Sequence, residues 1–238
     1  MTPYCVGLTG GLASGKSTVA GWLRDAGFEV VDADQLVAEL YRPRAAGAAA
    51  ARDLFGPSVL TPEGGVDHRA LADHVFGDPE ARRALENAIH PLVRRRFEEI
   101  VAGPPAAPAP ALSVPRVVVL EATLLIEAGY APGFDLVVTV EADSEVRLRR
   151  AVARGMREEA ASARLAAQGD GDSRRRGAQR VLNNDGDLAG LRRQVDALIA
   201  EIAGLADSTH RAGSNQPTAD APDDAERRPA DAAAPKPS

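Results

Sequence analysis

Eight residues near the start of the chain, Gly10-Gly11-Leu12-Ala13-Ser14-Gly15-Lys16-Ser17, carry the spacing of a P-loop: a glycine, four residues, then Gly-Lys-Ser. Glycines let the backbone wrap closely around a phosphate chain with several N–H groups pointing inward, and a helix starting there turns its positive end toward the anion. Lys16 is the one lysine of residues 1–206, in a chain with 26 arginines. A compact ammonium fits inside such a loop where a planar guanidinium fork does not. It reaches the β- and γ-phosphates, and the Ser17 hydroxyl can join the shell of a Mg²⁺ ion. Gly11, Leu12, Ala13, Ser14, Gly15, Lys16, Ser17 and Thr18 are therefore the candidate nucleotide-binding residues. The pattern alone does not separate a small-molecule kinase from a GTPase or ATPase.

Carboxylates narrow the chemistry. Asp32 and Asp34 end the second apolar run, and two residues that far apart in an extended segment point to opposite sides, so one faces the phosphates. A carboxylate there can accept the proton of an attacking hydroxyl; its other use is to cap a helix starting near Gln35. Glu121 follows Val117-Val118-Val119-Leu120, where an acid would support Mg²⁺ or Ser17, and Glu127 reads as a second acid or a solvated helix residue. Between 147 and 180 ten arginines meet four acids, a local net of +6, whereas residues 1–206 together carry −4. Arg147, Arg150, Arg154 and Arg157 recur every three or four residues, which predicts one helix face. The segment has no Phe, Tyr or Trp on which bases could stack, which disfavours a nucleic-acid surface. Beside a P-loop, such arginines better suit a lid that closes over ATP and stabilises charge on the transferred phosphoryl group.

The elements that must position these residues follow from apolar patterning. Short apolar runs at 4–9, 28–32, 116–120, 134–140 and 180–182 predict strands, and Val19, Trp22, Leu23 and Ala26 mark one face of a helix directly after the loop. Strands alternating with helices predict an α/β fold whose parallel sheet is covered on both faces. About 80 residues of helical pattern separate the second and third strands, with Pro91 expected to kink or break a helix near His90. That insertion ends in a loop, 103–115, with five prolines, read as exposed and either disordered or polyproline-II-like. Leu188 to Leu205 form a final amphipathic stripe. Residues 207–238 contain no Val, Ile, Leu, Met, Phe, Tyr or Trp, and are read as a disordered tail. A single cysteine excludes an intramolecular disulfide, four scattered histidines offer no ligand spacing, and no apolar run approaches a membrane span. With no secretory leader recognised, a cytoplasmic location without membrane partners is the expectation. The oligomeric state is not set by the sequence, and a monomer is the default.

Gly7-Leu8-Thr9-Gly10-Gly11, Ser14-Gly15-Lys16-Ser17-Thr18, Val31-Asp32-Ala33-Asp34, Phe55-Gly56, His90-Pro91-Leu92, Leu124-Leu125-Ile126-Glu127 and Asn184-Asp185-Gly186, in this order and spacing, resemble the dephospho-coenzyme A kinase family from about Val6 to Leu205. The resemblance implies a three-layer P-loop NTPase fold with a five-stranded parallel sheet, an inserted helical CoA-binding subdomain (about 35–115) and a lid (about 145–180), within a kinase domain spanning 1–206. It also implies transfer of the ATP γ-phosphoryl group to the ribose 3'-hydroxyl of dephospho-CoA, with Mg²⁺. Carried over by position, Asp34 is the acid beside the 3'-hydroxyl, with Lys16, Arg150 and Arg154 as its catalytic companions. Arg69, His90, Pro91 and Leu124 would bind substrate, Asn184 and Gly186 would meet the adenine of ATP, and Ser17 and Glu121 would serve the metal. Four residues depart from the family pattern: Ala13 for a loop glycine, which requires a negative φ there, Glu121 and Gln179 for aspartates, and Thr123 for a proline. Two other readings stay open at this level. A nucleoside monophosphate kinase is disfavoured by the length of the insertion, and a non-catalytic nucleotide switch has no use for the acid at Asp34.

Overall fold

The computed structural model describes residues 2–105, 115–169 and 171–214. Most of the Pro/Ala loop (106–114), and the tail beyond Ser214, lie outside them. In chain order the elements are β1 (Tyr4–Thr9), α1 (Lys16–Asp25), β2 (Glu29–Asp32), α2 (Ala33–Leu40), α3 (Ala46–Phe55), α4 (His68–Val75), α5 (Pro79–Ala102), β3 (Val117–Glu121), β4 (Leu136–Glu141), α6 (Ser144–Ala153), α7 (Glu158–Gln168), α8 (Asp172–Gly177), β5 (Arg180–Asn183) and α9 (Leu188–Ser214). The five strands form one parallel sheet in the order β2-β3-β1-β4-β5.

Register matters most for function. Glu121 pairs with Leu8 on one side and with Asp32 on the other, Thr9 pairs with Thr139, and Glu141 pairs with Asn183. All five strands therefore deliver their carboxyl ends to one edge, where open α/β sheets bind ligands. The middle of the sheet is apolar on both faces, with every residue of β3 and β4 buried. On one face Val6, Leu8, Val117 and Val119 pack against Val19 and Leu23 of α1 and Leu191, Val195, Leu198 and Ile202 of α9. On the other, Val118 and Leu120 meet the insertion α2–α5 through Leu36, Ile89, Val93 and Phe97. Each such side chain contributes about 1.5–3 kcal/mol on burial.

Three expectations change. Of the kink or break expected at Pro91, the break does not occur: α5 runs 24 residues, 79–102, through the proline. Proline forfeits one backbone hydrogen bond, and burial of Ile89, Val93 and Phe97 on either side of it offsets that loss. The end of α5 is held instead by Arg116, which pairs with Glu29 and donates to the carbonyls of Ile100, Val101 and Gly103, groups a helix terminus leaves without partners. The last helix extends eight residues past the predicted boundary at 206: Ala206 is still buried, and the hydroxyls of Ser208 and Thr209 bond back to Gly204 and Leu205. Finally, the arginine face is shorter than its spacing implied. α6 ends at Ala153, so Arg154 caps it and Arg157 opens α7, leaving Arg147 and Arg150 on one helix. Among the described residues no helix is long and apolar enough to cross a membrane.

Candidate active site

β1 runs into the loop 10–15, and α1 begins at Lys16 with Gly15 as its N-cap at φ +105°. A Cβ on Gly15 would also stand 2.2 Å from the Asn184 carboxamide, so the position excludes any side chain. Ala13 does not keep a negative φ as expected. It sits at φ +56°, in the left-handed region, and is one of two non-glycine residues with positive φ among those described. For an L-residue this costs about 1–2 kcal/mol. Contacts from distant segments hold it there: its methyl is buried against Ala151 and Ala161, with Leu148 and Met156 packed around them.

The loop's polar groups converge on one acid. Lys16 Nζ lies 2.8 Å and Ser17 Oγ 3.0 Å from Glu121 Oε1, and Glu121 is 5 % exposed. The end of β3 thus meets the start of α1 at the point the strand pattern marked. Beside it, Thr9 Oγ1 donates to the carbonyl of Thr123. On the far side of the loop, Asn184 donates its amide to the Ser14 carbonyl at 2.7 Å, and Arg150 Nη2 lies 3.5 Å from Asn184 Oδ1. Arg150 Nη1 and Ser14 Oγ are buried without a partner among the described residues.

The two aspartates divide their work differently from the extended-strand expectation, because α2 starts at Ala33. Asp32 is the N-cap and accepts the Asp34 N–H at 2.8 Å. Asp34 opens α2 with an exposed carboxylate that has no bonded partner among the described residues. Since Asp32 is in register with Glu121, Asp34 stands at the same sheet edge as the P-loop. The other predicted substrate residues line separate elements. Arg69 is exposed in the first turn of α4, Pro91 is exposed, and Leu124 is 39 % exposed just beyond β3. The His90 ring meets Tyr130 edge-on at 5.7 Å. Arg154 and Gly186 are exposed, and no side-chain contact joins them to the loop.

Glu127 is not a freely solvated residue: it pairs with Arg174 at 3.2 Å. Arg174 also binds Glu141 at 2.8 Å, and Thr139 donates to the same carboxylate at 2.6 Å, all three buried. Burial pulls the Arg174 guanidinium down, but the hydrogen bonds and charges of Glu141 and Glu127 outweigh it and leave it raised. Arg147 is 1 % exposed and bonds to Leu12 and Gln168; burial lowers its pKa, the nearby Arg174 charge adds to that, and Glu141 opposes it. The sequence reading singled out neither Gln168, Glu141 nor the burial of Arg147 and Arg174. A signal existed for Glu141, a charge ending an apolar strand as Glu121 does, which demands a cationic partner.

A parallel sheet of this order, with a P-loop between its first strand and helix and an acid from the adjacent strand on the loop's lysine and serine, defines a P-loop nucleotide-binding fold. The family model for dephospho-CoA kinase matches residues 4–190. The chain belongs to that family. It is 44 % identical over 187 residues to the dephospho-CoA kinase of Mycolicibacterium paratuberculosis, covering 78 % of this chain but 44 % of that relative, so it spans under half that protein's length. The dephospho-CoA kinase of Moorella thermoacetica is 42 % identical over 207 residues, with 84 % of this chain and 92 % of the relative covered. Among solved structures, TT1252 from Thermus thermophilus superposes with a TM-score of 0.69 at 38 % identity, covering 84 % of this chain and 98 % of its own. The dephospho-CoA kinase from Campylobacter jejuni gives 0.61 at 25 % identity, with 84 % and 97 % covered.

Proposed function

We propose that this chain transfers the γ-phosphoryl group of ATP to the ribose 3'-hydroxyl of dephospho-CoA, yielding ADP and coenzyme A. The observation that carries the proposal is the convergence of Lys16 and Ser17 on buried Glu121, with the uncommitted Asp34 carboxylate opening α2 at the same edge. Asp34 accepts the 3'-hydroxyl proton as the hydroxyl oxygen bonds to Pγ and the bond from Pγ to the β,γ-bridging oxygen breaks, releasing ADP. Lys16 and the loop N–H groups hold the phosphates, and Arg150, whose buried Nη1 lacks a partner among the described residues, is the lid arginine suited to the transferring group. Arg154, exposed at the end of α6, is its second candidate. Arg69, the His90-Pro91 turn and Leu124 are proposed to hold the acceptor, and Asn184 and Gly186 to flank the adenine.

The residues present also fit a magnesium ion. Among the described residues no group of three or more His, Cys, Asp or Glu could hold a metal, so a divalent ion here needs its remaining ligands from phosphates and water, as Mg²⁺ prefers. Ser17 and Glu121 would hold it, and when bound it would neutralise charge on the β- and γ-phosphates. Both substrates are water-soluble small molecules, and the proposal places the reaction in the cytoplasm on a monomer.

The test is a substrate panel on the purified chain with ATP and dephospho-CoA, AMP or CMP. Phosphorylation of dephospho-CoA at the 3'-position is expected. Ready phosphorylation of AMP or CMP with none of dephospho-CoA would refute the acceptor, and tight ATP binding without any transfer would leave a regulator. Asp34→Asn should lower kcat by about 10²–10⁴-fold, the usual worth of a general base, while ATP binds within about threefold of the parent.

A further inference from the structure

The Leu12 peptide groups are spoken for by residues more than 130 positions away. Its N–H donates to Gln168 Oε1 at 2.7 Å, and its carbonyl accepts from Arg147 Nε at 2.9 Å. Arg147 Nη2 closes the ring by donating to the same Gln168 oxygen at 2.8 Å. The three groups form one closed set in which a single carboxamide oxygen serves both the loop and the arginine. Gln168 is the last residue of α7, and the Arg174 guanidinium contacts its backbone carbonyl at 3.3 Å. There is no room beside this ring: a Cβ on Gly11 would stand 2.2 Å from Arg147 Nη2 and 3.0 Å from Gln168 Oε1.

We infer that Gln168 is a positioning residue for ATP, which sets the conformation of the P-loop by holding the Leu12 N–H out of the phosphate cradle and bracing the strained Ala13 that follows. A loop with a left-handed alanine is not self-supporting. The clamp on Leu12 and the methyl packing of Ala13 on α6 and α7 join the Ser14 N–H bond to the Gly11 carbonyl and the Asn184 amide on the Ser14 carbonyl in holding that turn against relaxation. The arginine-rich helices therefore contribute to nucleotide affinity through the loop backbone, in addition to any guanidinium that reaches a phosphate. Leu12 itself donates no hydrogen bond to the nucleotide in this arrangement. The inference rests on the P-loop being the ATP site, and not on the identity of the acceptor.

The experiment measures equilibrium binding of ATP to the full chain without acceptor, together with both KM values and the melting temperature, for Gln168→Met and Gln168→Glu. Met matches the side chain's length but offers no comparable acceptor, whereas Glu keeps an oxygen at that point. Gln168→Met should weaken ATP binding, and raise the KM for ATP, about tenfold, the scale of losing the one hydrogen bond to the Leu12 N–H, with the KM for dephospho-CoA within twofold. Gln168→Glu should recover ATP affinity to within about threefold. Unchanged ATP affinity in Gln168→Met, or a loss that Gln168→Glu shares in full, overturns the inference. Should Gln168→Met not fold, Arg147→Lys takes its place, since it keeps the charge but loses the Nε donor to Leu12. Because binding is read without acceptor, failure of the proposed phosphoryl transfer leaves this test standing.

Discussion

Replacing Arg174 by methionine should cost the fold more than any exposed arginine in the same segment. The guanidinium is 1 % exposed and Glu141 fully buried, with 2.8 Å between them. Without Arg174, Glu141 keeps only the Thr139 hydroxyl at 2.6 Å as a side-chain donor among the described residues. An ionised carboxylate buried with one neutral donor is the arrangement in which breaking an ion pair costs about 3–5 kcal/mol. Against a total stability of about 5–15 kcal/mol, that is a large share. With a denaturant slope of about 2 kcal/mol/M in urea, the unfolding midpoint should fall by about 1.5–2.5 M. The double variant Arg174→Met, Glu141→Leu removes both charges and should recover at least about 2 kcal/mol of that loss, because the unpaired carboxylate, not the missing attraction, dominates the penalty. Urea titrations of the parent, both single variants and the double variant at one pH and salt concentration measure this coupling directly. A loss below about 1 kcal/mol in Arg174→Met, or a double variant as unstable as the two singles added together, would refute the reasoning.

Two further outcomes follow from the same contacts. Glu121→Gln keeps an acceptor for Lys16 and Ser17 but removes the charge, so the Mg²⁺ concentration for half-maximal activity should rise about 10–100-fold; an unchanged activation curve would sink the metal role. At alkaline pH, burial first and the Asp135 charge second raise the Cys5 thiol from 9.0 to about 11, with Arg116 opposing, and burial raises Tyr130 from 10.0 to about 12, with Arg94 opposing. The folded chain therefore holds these two protons more tightly than the unfolded chain, and their stabilising contribution is full below about pH 9 and lost between about 9 and 12. Unfolding midpoints measured from pH 8 to 11 should decline more shallowly in Cys5→Ala and Tyr130→Phe than in the parent, and equal slopes would contradict the shifts.

What was legible in the sequence was local. The P-loop, all five strands and the acid closing β3 each sit in a run of fewer than ten residues whose composition already carries the physics: apolar faces, glycine turns, a charge at a strand end. The division between Asp32 and Asp34 was half legible. Both aspartates were visible, but which one caps depends on where α2 starts, and a start at Ala33 instead of near Gln35 moved the cap to Asp32. Pro91 illustrates the opposite limit, since a local rule against proline in a helix yields to packing by Val93 and Phe97 against a sheet encoded elsewhere. The same limit holds for Ala13, whose methyl packs on Ala151 and Ala161 in a left-handed turn, contacts that no local string reveals. Among ten arginines of identical type, nothing in the segment itself distinguishes Arg174 from Arg176. Only Glu141, some thirty residues earlier, makes the first buried and leaves the second exposed.

The arginine segment therefore offers a nucleotide less charge than its count of +6 suggests, and in a different place. Glu127 and Glu141 lie outside it and neutralise Arg174, while Arg149, Arg154, Arg157, Arg164, Arg176 and Arg180 are exposed, where water and salt screen them. Arg150 and Arg175 are partly buried, and Arg147 differs from all of these. It is buried, its hydrogen bonds go to a carbonyl and a carboxamide, and no carboxylate bonds to it among the described residues. Its hydrogen-bond partners are dipoles, burial and then the positive neighbour Arg174 push its pKa down, and the Glu141 charge opposes them. A cation kept under those conditions is costly unless an anion shares its surroundings, and low local dielectric makes its field on nearby phosphates stronger than that of any exposed arginine. If the loop holds phosphates as proposed, one residue would supply both a fixed loop geometry and an attraction for what the loop binds, an advantage that an apolar contact of the same volume would lack.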